Sequence, residues 1–172
     1  MIKSRKKYTK IDPEIEIKKK WMRKDFKLNW KLNEYHLFFG TNAIYVESVK
    51  TKGLDERIGG RDGFFGQGIY QAEKSSFADS FTEPDSRNEC FIFLNRVLLG
   101  ETVIVDQSSR GLGSPPINPY SETGDHYDSV IGHVNRVINR TTLRPREFIV
   151  YNRNQVYPEF LITYNRLPQE SQ

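Results

Sequence analysis

Short runs of β-branched and aromatic residues fill the second half of the chain, and they restrict its fold more than any other feature of the sequence. Such residues favour extended backbone, and each run has the length of an ordinary strand. The runs lie at 90–99, 101–106, 129–132, 147–151 and 156–164. A loop rich in Ser, Gly and Pro separates the second run from the third, at 107–124. The second half is therefore predicted to be mostly β-strand.

The first half alternates strand and helix signals. The predicted elements are, in chain order, a strand at 34–39, a turn at 40–42, a helix at 43–52, a glycine-rich connection at 59–68, a strand at 69–72 and a helix at 75–81. Gly53 is predicted to end the first helix, because glycine readily adopts the conformation found after a helix C-terminus. This order, followed by mostly strands, predicts an α+β domain built on antiparallel or mixed sheets.

The N-terminal segment is strongly basic. Residues 1–32 contain twelve Lys and Arg against four acids, a net charge of +8, whereas the whole chain carries +4. Residues 1–12 are predicted to be a mobile arm, and 13–32 a short strand and an amphipathic helix on the domain edge. We therefore divide the chain into this basic segment at 1–32 and one domain at 33–172. The arm is expected either to contact nucleic acid weakly or to act only as a solvated, solubilising face.

The composition excludes several classes of protein. The 172 residues fit a single domain. No apolar run approaches the ~20 residues that span a bilayer, and no apolar segment follows the basic start, so we expect an intracellular protein without membrane contact. Cys90 is the single cysteine and the three histidines are far apart, so we expect no disulfide and no metal site.

Three segments far apart in the sequence each place a strand end beside a glycine turn or a lone carboxylate. They read LFFGT at 37–41, FGQGIYQA at 65–72, and EFIVY at 147–151 followed by YPEFLITY at 157–164. Taken singly, each has an ordinary structural explanation: a helix cap, a bend, or a solvated strand-edge glutamate.

In this order and spacing, the segments resemble the catalytic domain of the poly(ADP-ribose) polymerase family, and tankyrases in particular. The resemblance runs from about Tyr35 to Tyr164 and includes GLDER at 53–57 and SVIG at 129–132. It implies an ADP-ribosyltransferase fold, in which two packed antiparallel or mixed β-sheets form a split NAD⁺ cleft with flanking helices. It also makes residues 33–172 the catalytic domain.

The resemblance implies an enzyme that transfers ADP-ribose from NAD⁺ to a protein or nucleic-acid acceptor and releases nicotinamide. Glu147 matches the carboxylate that holds the nicotinamide ribose and stabilises the oxocarbenium-like transition state. Tyr70 matches the second catalytic residue, whose ring stacks on nicotinamide. NAD⁺ is the expected substrate, no metal is required, and the acceptor is a protein, with the chain itself among the candidates.

The resemblance also assigns the residues that bind NAD⁺. They are Phe39, Gly40, Thr41, Asp55, Arg61, Gly68, Tyr70 and Phe81. Gly40 offers backbone groups to the nicotinamide carboxamide, and Phe81 offers a second ring. The segment 55–66 matches the loop that covers the dinucleotide, where Arg61 is expected to meet the pyrophosphate or to remain a solvated charge.

Three positions depart from the family pattern. Phe39 stands in place of a histidine, Ala78 in place of a serine, and Phe81 in place of a tyrosine. His36 is predicted to be an ordinary, partly buried histidine that points to the face opposite Phe39. Since a net hydrogen bond contributes about 0.5–1.5 kcal/mol, these losses are expected to weaken NAD⁺ binding by roughly tenfold to a few hundredfold.

Three functions follow from these residues. The first is an active transferase that adds one ADP-ribose unit, because elongation usually needs the complete His-Tyr-Glu set and this chain has Phe39, Tyr70 and Glu147. The second is an inactive module that holds NAD⁺, ADP-ribose or a partner without turnover. The third is nucleic-acid recognition through the basic arm, with the domain as a scaffold.

Overall fold

The structure is a computed structural model that describes residues 27–57, 63–105, 113–133, 136–138, 141–143 and 146–166. Its strands are β1 (Glu34–Thr41), β2 (Ile69–Ala72), β3 (Cys90–Leu98), β4 (Thr102–Val105), β5 (Ser129–His133), β6 (Arg136–Ile138), β7 (Thr141–Leu143), β8 (Arg146–Val150) and β9 (Val156–Tyr164). Its α-helices are α1 (Ala43–Lys52) and α2 (Ser75–Asp79), and two 3₁₀ turns lie at Trp30–Leu32 and Arg153–Gln155.

Seven of these strands form one mixed sheet in the order β4-β5-β8-β2-β1-β3-β9. The β4 and β5 strands run parallel, and the other neighbours in this sheet run antiparallel. The β6 and β7 strands form a separate two-stranded sheet. The α+β class and the mixed sheet predicted from the sequence are therefore confirmed.

The pairing between β1 and β2 is much shorter than the pairing on either side of it. Along the described strands, β1 pairs with β3 at eight positions but with β2 only at Phe38 and Ala72. One half of the sheet is thus β9-β3-β1 and the other is β2-β8-β5-β4, and a short contact joins them.

Local sequence accounts for most of the element boundaries. The α1 helix spans the predicted 43–52 and ends at Gly53, which has φ +76°. The predicted turn at 40–42 is wrong in part, because Gly40 and Thr41 continue β1 and pair with Ile92 and Phe91. The α2 helix ends at Asp79, two residues before the predicted end.

The core occupies both faces of the sheet. The larger cluster lies on one face and includes Leu37, Phe93, Val97, Phe148 and Val150. On the other face, α2 covers a second cluster of buried residues, which are Ala72, Phe77, Ala78 and Ile92. Burying a side chain such as Phe148 stabilises the fold by about 1.5–3 kcal/mol, so the clusters hold both halves of the sheet in place.

The predicted arm at 1–12 and most of the strand and helix predicted at 13–32 lie outside the described residues. The described end of that segment is the 3₁₀ turn at Trp30–Leu32, which the Asn29 side chain caps by accepting from the Lys31 N–H. Among the residues that the structure describes, no helix is long and apolar enough to cross a membrane.

Candidate active site

A cavity of about 440 Å³ opens where β1 and β2 meet, beneath α2 and the residues that follow it. Its lining residues are Phe38, Phe39, Gly40, Gly63, Phe64, Tyr70, Gln71, Ala72, Phe77, Ala78, Phe81 and Glu147. Six of these side chains are aromatic, so the wall of the cavity is mainly flat, apolar ring surface.

Glu147 is the single charged side chain among these lining residues. It lies on β8, only 2% of its surface is exposed, and it sits opposite Ala72 of β2 and Gly132 of β5. Because the surroundings are apolar, its charge acts on a ligand with less screening than at the protein surface. A positive charge that develops in this cavity would therefore be stabilised by Glu147.

Tyr70 lies on β2, two residues before Ala72, and therefore on the same face of the sheet as Glu147. Its hydroxyl accepts from the Phe65 N–H at 2.9 Å and donates to the Gly66 carbonyl at 2.7 Å. These bonds hold the orientation of the ring, which is half-buried at the cavity wall.

Gly40 is the point where β1 passes directly beneath α2. A Cβ atom at this position would lie 1.9 Å from the Ala78 carbonyl oxygen, which is backbone and cannot rotate away. Glycine therefore allows the close approach that brings Ala78 and Phe81 over the cavity. The Phe77 and Phe81 rings pack edge to face with centroids 5.2 Å apart, which orients Phe81 although it is 48% exposed.

The residues after α2 are fastened to the end of β9. The Tyr164 hydroxyl donates to Asp79, and burial together with this bond raises the pKa of Tyr164 to about 12. The Arg166 guanidinium donates to the Asp79 carboxylate at 3.0 Å and to the Thr82 carbonyl at 3.0 Å. This anchor fixes the segment that carries Phe81.

Phe38 and Phe39 point to opposite faces of β1, yet both line the cavity because the sheet opens between β1 and β2. Phe38 packs against the cluster beneath α2, and Phe39 packs against the larger core cluster. His36 is buried elsewhere, with its Nε2 2.6 Å from a Glu159 carboxylate oxygen. The structural interpretation of His36 agrees with this position, although the residue is fully rather than partly buried.

The structure brings five of the predicted site residues together in the cavity. They are Phe39, Gly40, Tyr70, Phe81 and Glu147. It does not bring Thr41 there, because this residue is buried opposite Phe91, or Gly68, which packs against Ile149.

Asp55 also lies outside the cavity lining, in ion pairs with Arg57 and Arg153 at 2.7 Å each. The hydrogen bond from Arg57 holds the pKa of the Asp55 carboxyl well below its ordinary value, so this carboxylate serves to tie the loop after α1 to the segment after β8. Arg61 lies outside the described residues.

Sequence reasoning did not assign Phe38, Gly63, Phe64, Gln71, Ala72 or Phe77 to the site, although all line the cavity. Two of them carried a usable signal. Ala72 lies two residues after Tyr70 on a strand and hence on the same face. Phe77 lies four residues before Phe81, about one helical turn away. Ala78 was identified as a departure from the family pattern, and it also lines the cavity.

The arrangement suits one kind of ligand group: a flat aromatic ring bearing positive charge, stacked among rings and close to one carboxylate. No Lys or Arg occurs among the lining residues, so phosphate groups of a ligand would find no cation within the described cavity wall. Among the described residues there is also no group of three or more His, Cys, Asp or Glu able to hold a metal.

The family comparison agrees with this site. A family model described as the poly(ADP-ribose) polymerase catalytic domain matches residues 9–166. The chain belongs to this family. The match begins inside the segment that the sequence assigns to the basic arm, and the boundary at residue 33 remains a prediction.

Individual relatives carry the name protein mono-ADP-ribosyltransferase. Human PARP12 is 32% identical over 136 residues, covering 77% of this chain and 17% of that protein. Human PARP14 is 32% identical over 155 residues, covering 88% of this chain and 8% of that protein. Mouse PARP11 is 29% identical over 158 residues, covering 78% of this chain and 43% of that protein. The chain thus spans less than half the length of each of these relatives, and the particular likeness to tankyrases remains a prediction.

Proposed function

We propose that the chain is an ADP-ribosyltransferase that moves a single ADP-ribose unit from NAD⁺ to a protein acceptor and releases nicotinamide. The observation that carries this proposal is Glu147, a buried carboxylate at the wall of a cavity made of aromatic rings. Membership in the poly(ADP-ribose) polymerase family and the names of the mono-ADP-ribosyltransferase relatives support it.

In this proposal the nicotinamide end of NAD⁺ occupies the cavity. The nicotinamide ring is flat and positively charged, so it gains from stacking against Tyr70 and Phe81. Backbone groups of Gly40 hydrogen-bond the carboxamide. The two halves of the sheet, joined only at Phe38 and Ala72 in the described strands, then form the two sides of a split cleft.

The proposed reaction depends on Glu147. The bond between the nicotinamide nitrogen and C1′ of the ribose breaks, and its electron pair leaves with nicotinamide, which becomes neutral. Positive charge then develops on the ribose ring, where Glu147 stabilises it while holding the 2′-hydroxyl. An acceptor nucleophile forms the new bond to C1′ and gives up its proton. Electrostatic contacts of this kind contribute roughly 10²–10³ in kcat.

The pyrophosphate of NAD⁺ is proposed to lie outside the aromatic cavity. The lining offers Glu147 but no Lys or Arg, so a dianionic pyrophosphate is better placed beyond the wall. Segment 55–66 is proposed to cover the dinucleotide there, with Arg61 as the partner of the pyrophosphate. Asp55 would act by fixing the base of this loop through Arg57 and Arg153.

Two residues in the lining favour single-unit transfer with weak donor binding. Phe39 and Ala78 replace the polar side chains of the family pattern, and both line the cavity. Neither can hydrogen-bond NAD⁺ through its side chain. The expected weakening of NAD⁺ binding remains roughly tenfold to a few hundredfold.

The same two residues support a second candidate, an inactive module that binds NAD⁺, ADP-ribose or a partner in this cavity. The two candidates differ in turnover rather than in the site. For the basic segment at 1–32 we propose a weak, salt-sensitive contact with nucleic acid, and for the chain an intracellular location and action on itself as one acceptor.

Mass spectrometry after incubation with NAD⁺ tests the transferase against the inactive module. The purified chain, alone and with cell lysate, is incubated with NAD⁺ and then digested. Single ADP-ribose adducts on the chain or on lysate proteins are the expected result. Binding of NAD⁺ by calorimetry without any adduct or nicotinamide release would favour the inactive module, and long ADP-ribose chains would contradict single-unit transfer.

A further inference from the structure

The segment Gly63–Gly66, which forms one wall of the cavity, is folded into a tight turn. The Gly66 N–H donates to the Gly63 carbonyl at 3.1 Å, and Gly66 has φ +84°, a conformation that favours glycine. Gly63 and Phe64 contribute to the cavity lining, while the Phe65 ring is buried with only 1% exposed. The shape of this turn therefore sets the shape of the cavity wall.

Two tyrosine hydroxyls hold the Phe65 backbone from both sides. The Phe65 N–H donates to the Tyr70 hydroxyl at 2.9 Å, and the Tyr70 hydroxyl donates to the Gly66 carbonyl at 2.7 Å. The Tyr151 hydroxyl donates to the Phe65 carbonyl at 2.5 Å. The turn is thus fixed to β2 through Tyr70 and to the end of β8 through Tyr151.

The Phe65 ring fixes the turn at a third point, close to the carboxylate. A Cβ atom at Gly132 would lie 2.0 Å from the Phe65 ring, so glycine at this position lets the ring lie directly on β5. Gly132 is also the residue opposite Glu147 across β5 and β8. A shift of Phe65 would consequently be felt beside Glu147.

We propose that Tyr151 is a positioning residue of the NAD⁺ site, which acts through the Phe65 backbone to hold the Gly63–Gly66 turn and the Tyr70 ring in their binding geometry. The inference rests on the proposed function, because it takes the cavity as the nicotinamide site. Tyr151 itself is absent from the cavity lining, so it acts on the ligand through other residues. Burial, and then the neighbouring Tyr70, raise the pKa of Tyr151 far above its ordinary value, and the hydroxyl stays a donor at physiological pH.

Tyr151→Phe is the test variant, because it keeps the ring and removes one hydroxyl. Hydrogen exchange of the Phe65 amide reads the turn without any substrate, and we expect it to accelerate at least tenfold. The KM for NAD⁺ and the Kd for nicotinamide should each rise about fivefold to tenfold, the effect of one lost hydrogen bond, with kcat changed less than twofold.

Ser129→Ala is the matched control for a loss of stability alone. The Ser129 hydroxyl is buried and donates to the Leu99 carbonyl at 2.8 Å, far along β5 from the turn. Its removal should lower the melting temperature without changing KM or the exchange of Phe65. Tyr157→Phe, at a tyrosine that is 66% exposed, controls for the loss of a hydroxyl as such.

Each outcome bears on a separate claim. Unchanged exchange of Phe65 in Tyr151→Phe, or faster exchange with unchanged nicotinamide affinity, would overturn the positioning role. An equal rise of KM in Ser129→Ala would also overturn it, because the effect would then follow stability. A wild-type chain without NAD⁺ turnover contradicts the proposed function, whereas exchange and nicotinamide binding still decide the role of Tyr151. If wild type fails to bind nicotinamide, both proposals fall.

Discussion

Ala72 of β2 and Glu147 of β8 are directly opposite each other in the sheet, and Tyr70 lies two residues before Ala72 on the same strand. Side chains alternate along a strand, so Tyr70, Ala72 and Glu147 share one face. The small Ala72 side chain leaves space between the aromatic ring and the carboxylate. All three residues line the cavity in which we propose that nicotinamide binds.

Removing the Tyr70 ring should weaken binding of both NAD⁺ and nicotinamide. Tyr70→Ala deletes the stacking surface and both hydroxyl bonds to the turn, and we expect a loss of affinity of roughly tenfold or more. Tyr70→Phe keeps the ring and should lose less. Titration calorimetry measures both variants, and an affinity equal to wild type in Tyr70→Ala would place the ligand elsewhere.

A methyl group at Gly40 should separate β1 from α2. In Gly40→Ala the new Cβ meets the Ala78 carbonyl oxygen at 1.9 Å, so the backbone must move. We expect a loss of stability of about 1–3 kcal/mol and weaker nicotinamide binding, because α2 leads into Phe81. Gly113→Ala is the control, since no atom lies within 4 Å of a Cβ built there. Equal melting temperatures for the two variants would contradict the close approach at Gly40.

Phe39 separates the weak-binding enzyme from the inactive module. In the family pattern a histidine here bonds a hydroxyl of the adenosine-side ribose in ground and transition states alike, so it acts on binding rather than on kcat. Phe39→His should therefore lower the KM for NAD⁺ by roughly tenfold at unchanged melting temperature.

Phe39 also packs against the larger core cluster, which gives the opposite outcome a clear meaning. If the ring belongs to a closed, repacked cleft, the histidine lacks a partner and costs about 1–3 kcal/mol of stability. A lower melting temperature without tighter NAD⁺ binding would favour the inactive module.

Glu159 should make the acid limb of stability steeper. Burial acts to raise the pKa of Glu159, but hydrogen bonds from Arg96 and His36 outweigh it, and the net shift is below the ordinary value of 4.5. A carboxyl with a lowered pKa contributes stability that is complete above its unfolded pKa and is lost as pH falls through the folded pKa. Stability should thus decline as pH falls below about 4.5.

The variant Glu159→Gln isolates this contribution, because the amide does not titrate. Its free energy of unfolding, measured by urea titration at several pH values, should depend less on pH below about 4.5 than that of wild type. Arg96→Met removes the cation and should move the acid loss to higher pH. Parallel acid limbs in wild type and Glu159→Gln would show that other carboxyls dominate.

Local sequence patterns predicted the strands well because each run of β-branched residues is decided by its own composition. The bounds of β3, β8 and β9 differ from the predicted ones by no more than one residue. The hairpin of β6 and β7 was not predicted, since each of its strands has only three residues. Short strands depend on their partners rather than on their own propensity.

The site was predicted where residue identity carries the chemistry and was incomplete where pairing carries it. Glu147 and Tyr70 follow from the family resemblance, and both line the cavity. Phe38 joins them only because β1 and β2 separate after one pair, and that break depends on long-range pairing rather than on local sequence. Thr41 follows Gly40 in the chain, yet the continuation of β1 buries it against β3.

The central claim is that Glu147 performs chemistry rather than only shaping the cavity, and the most direct test compares turnover with binding in Glu147→Gln. The amide keeps the size of the side chain and removes the charge that stabilises the oxocarbenium-like state. We predict that nicotinamide release and ADP-ribose adducts fall at least 10²-fold, while the Kd for NAD⁺ stays within about threefold of wild type. Turnover equal to that of wild type in Glu147→Gln would contradict the account.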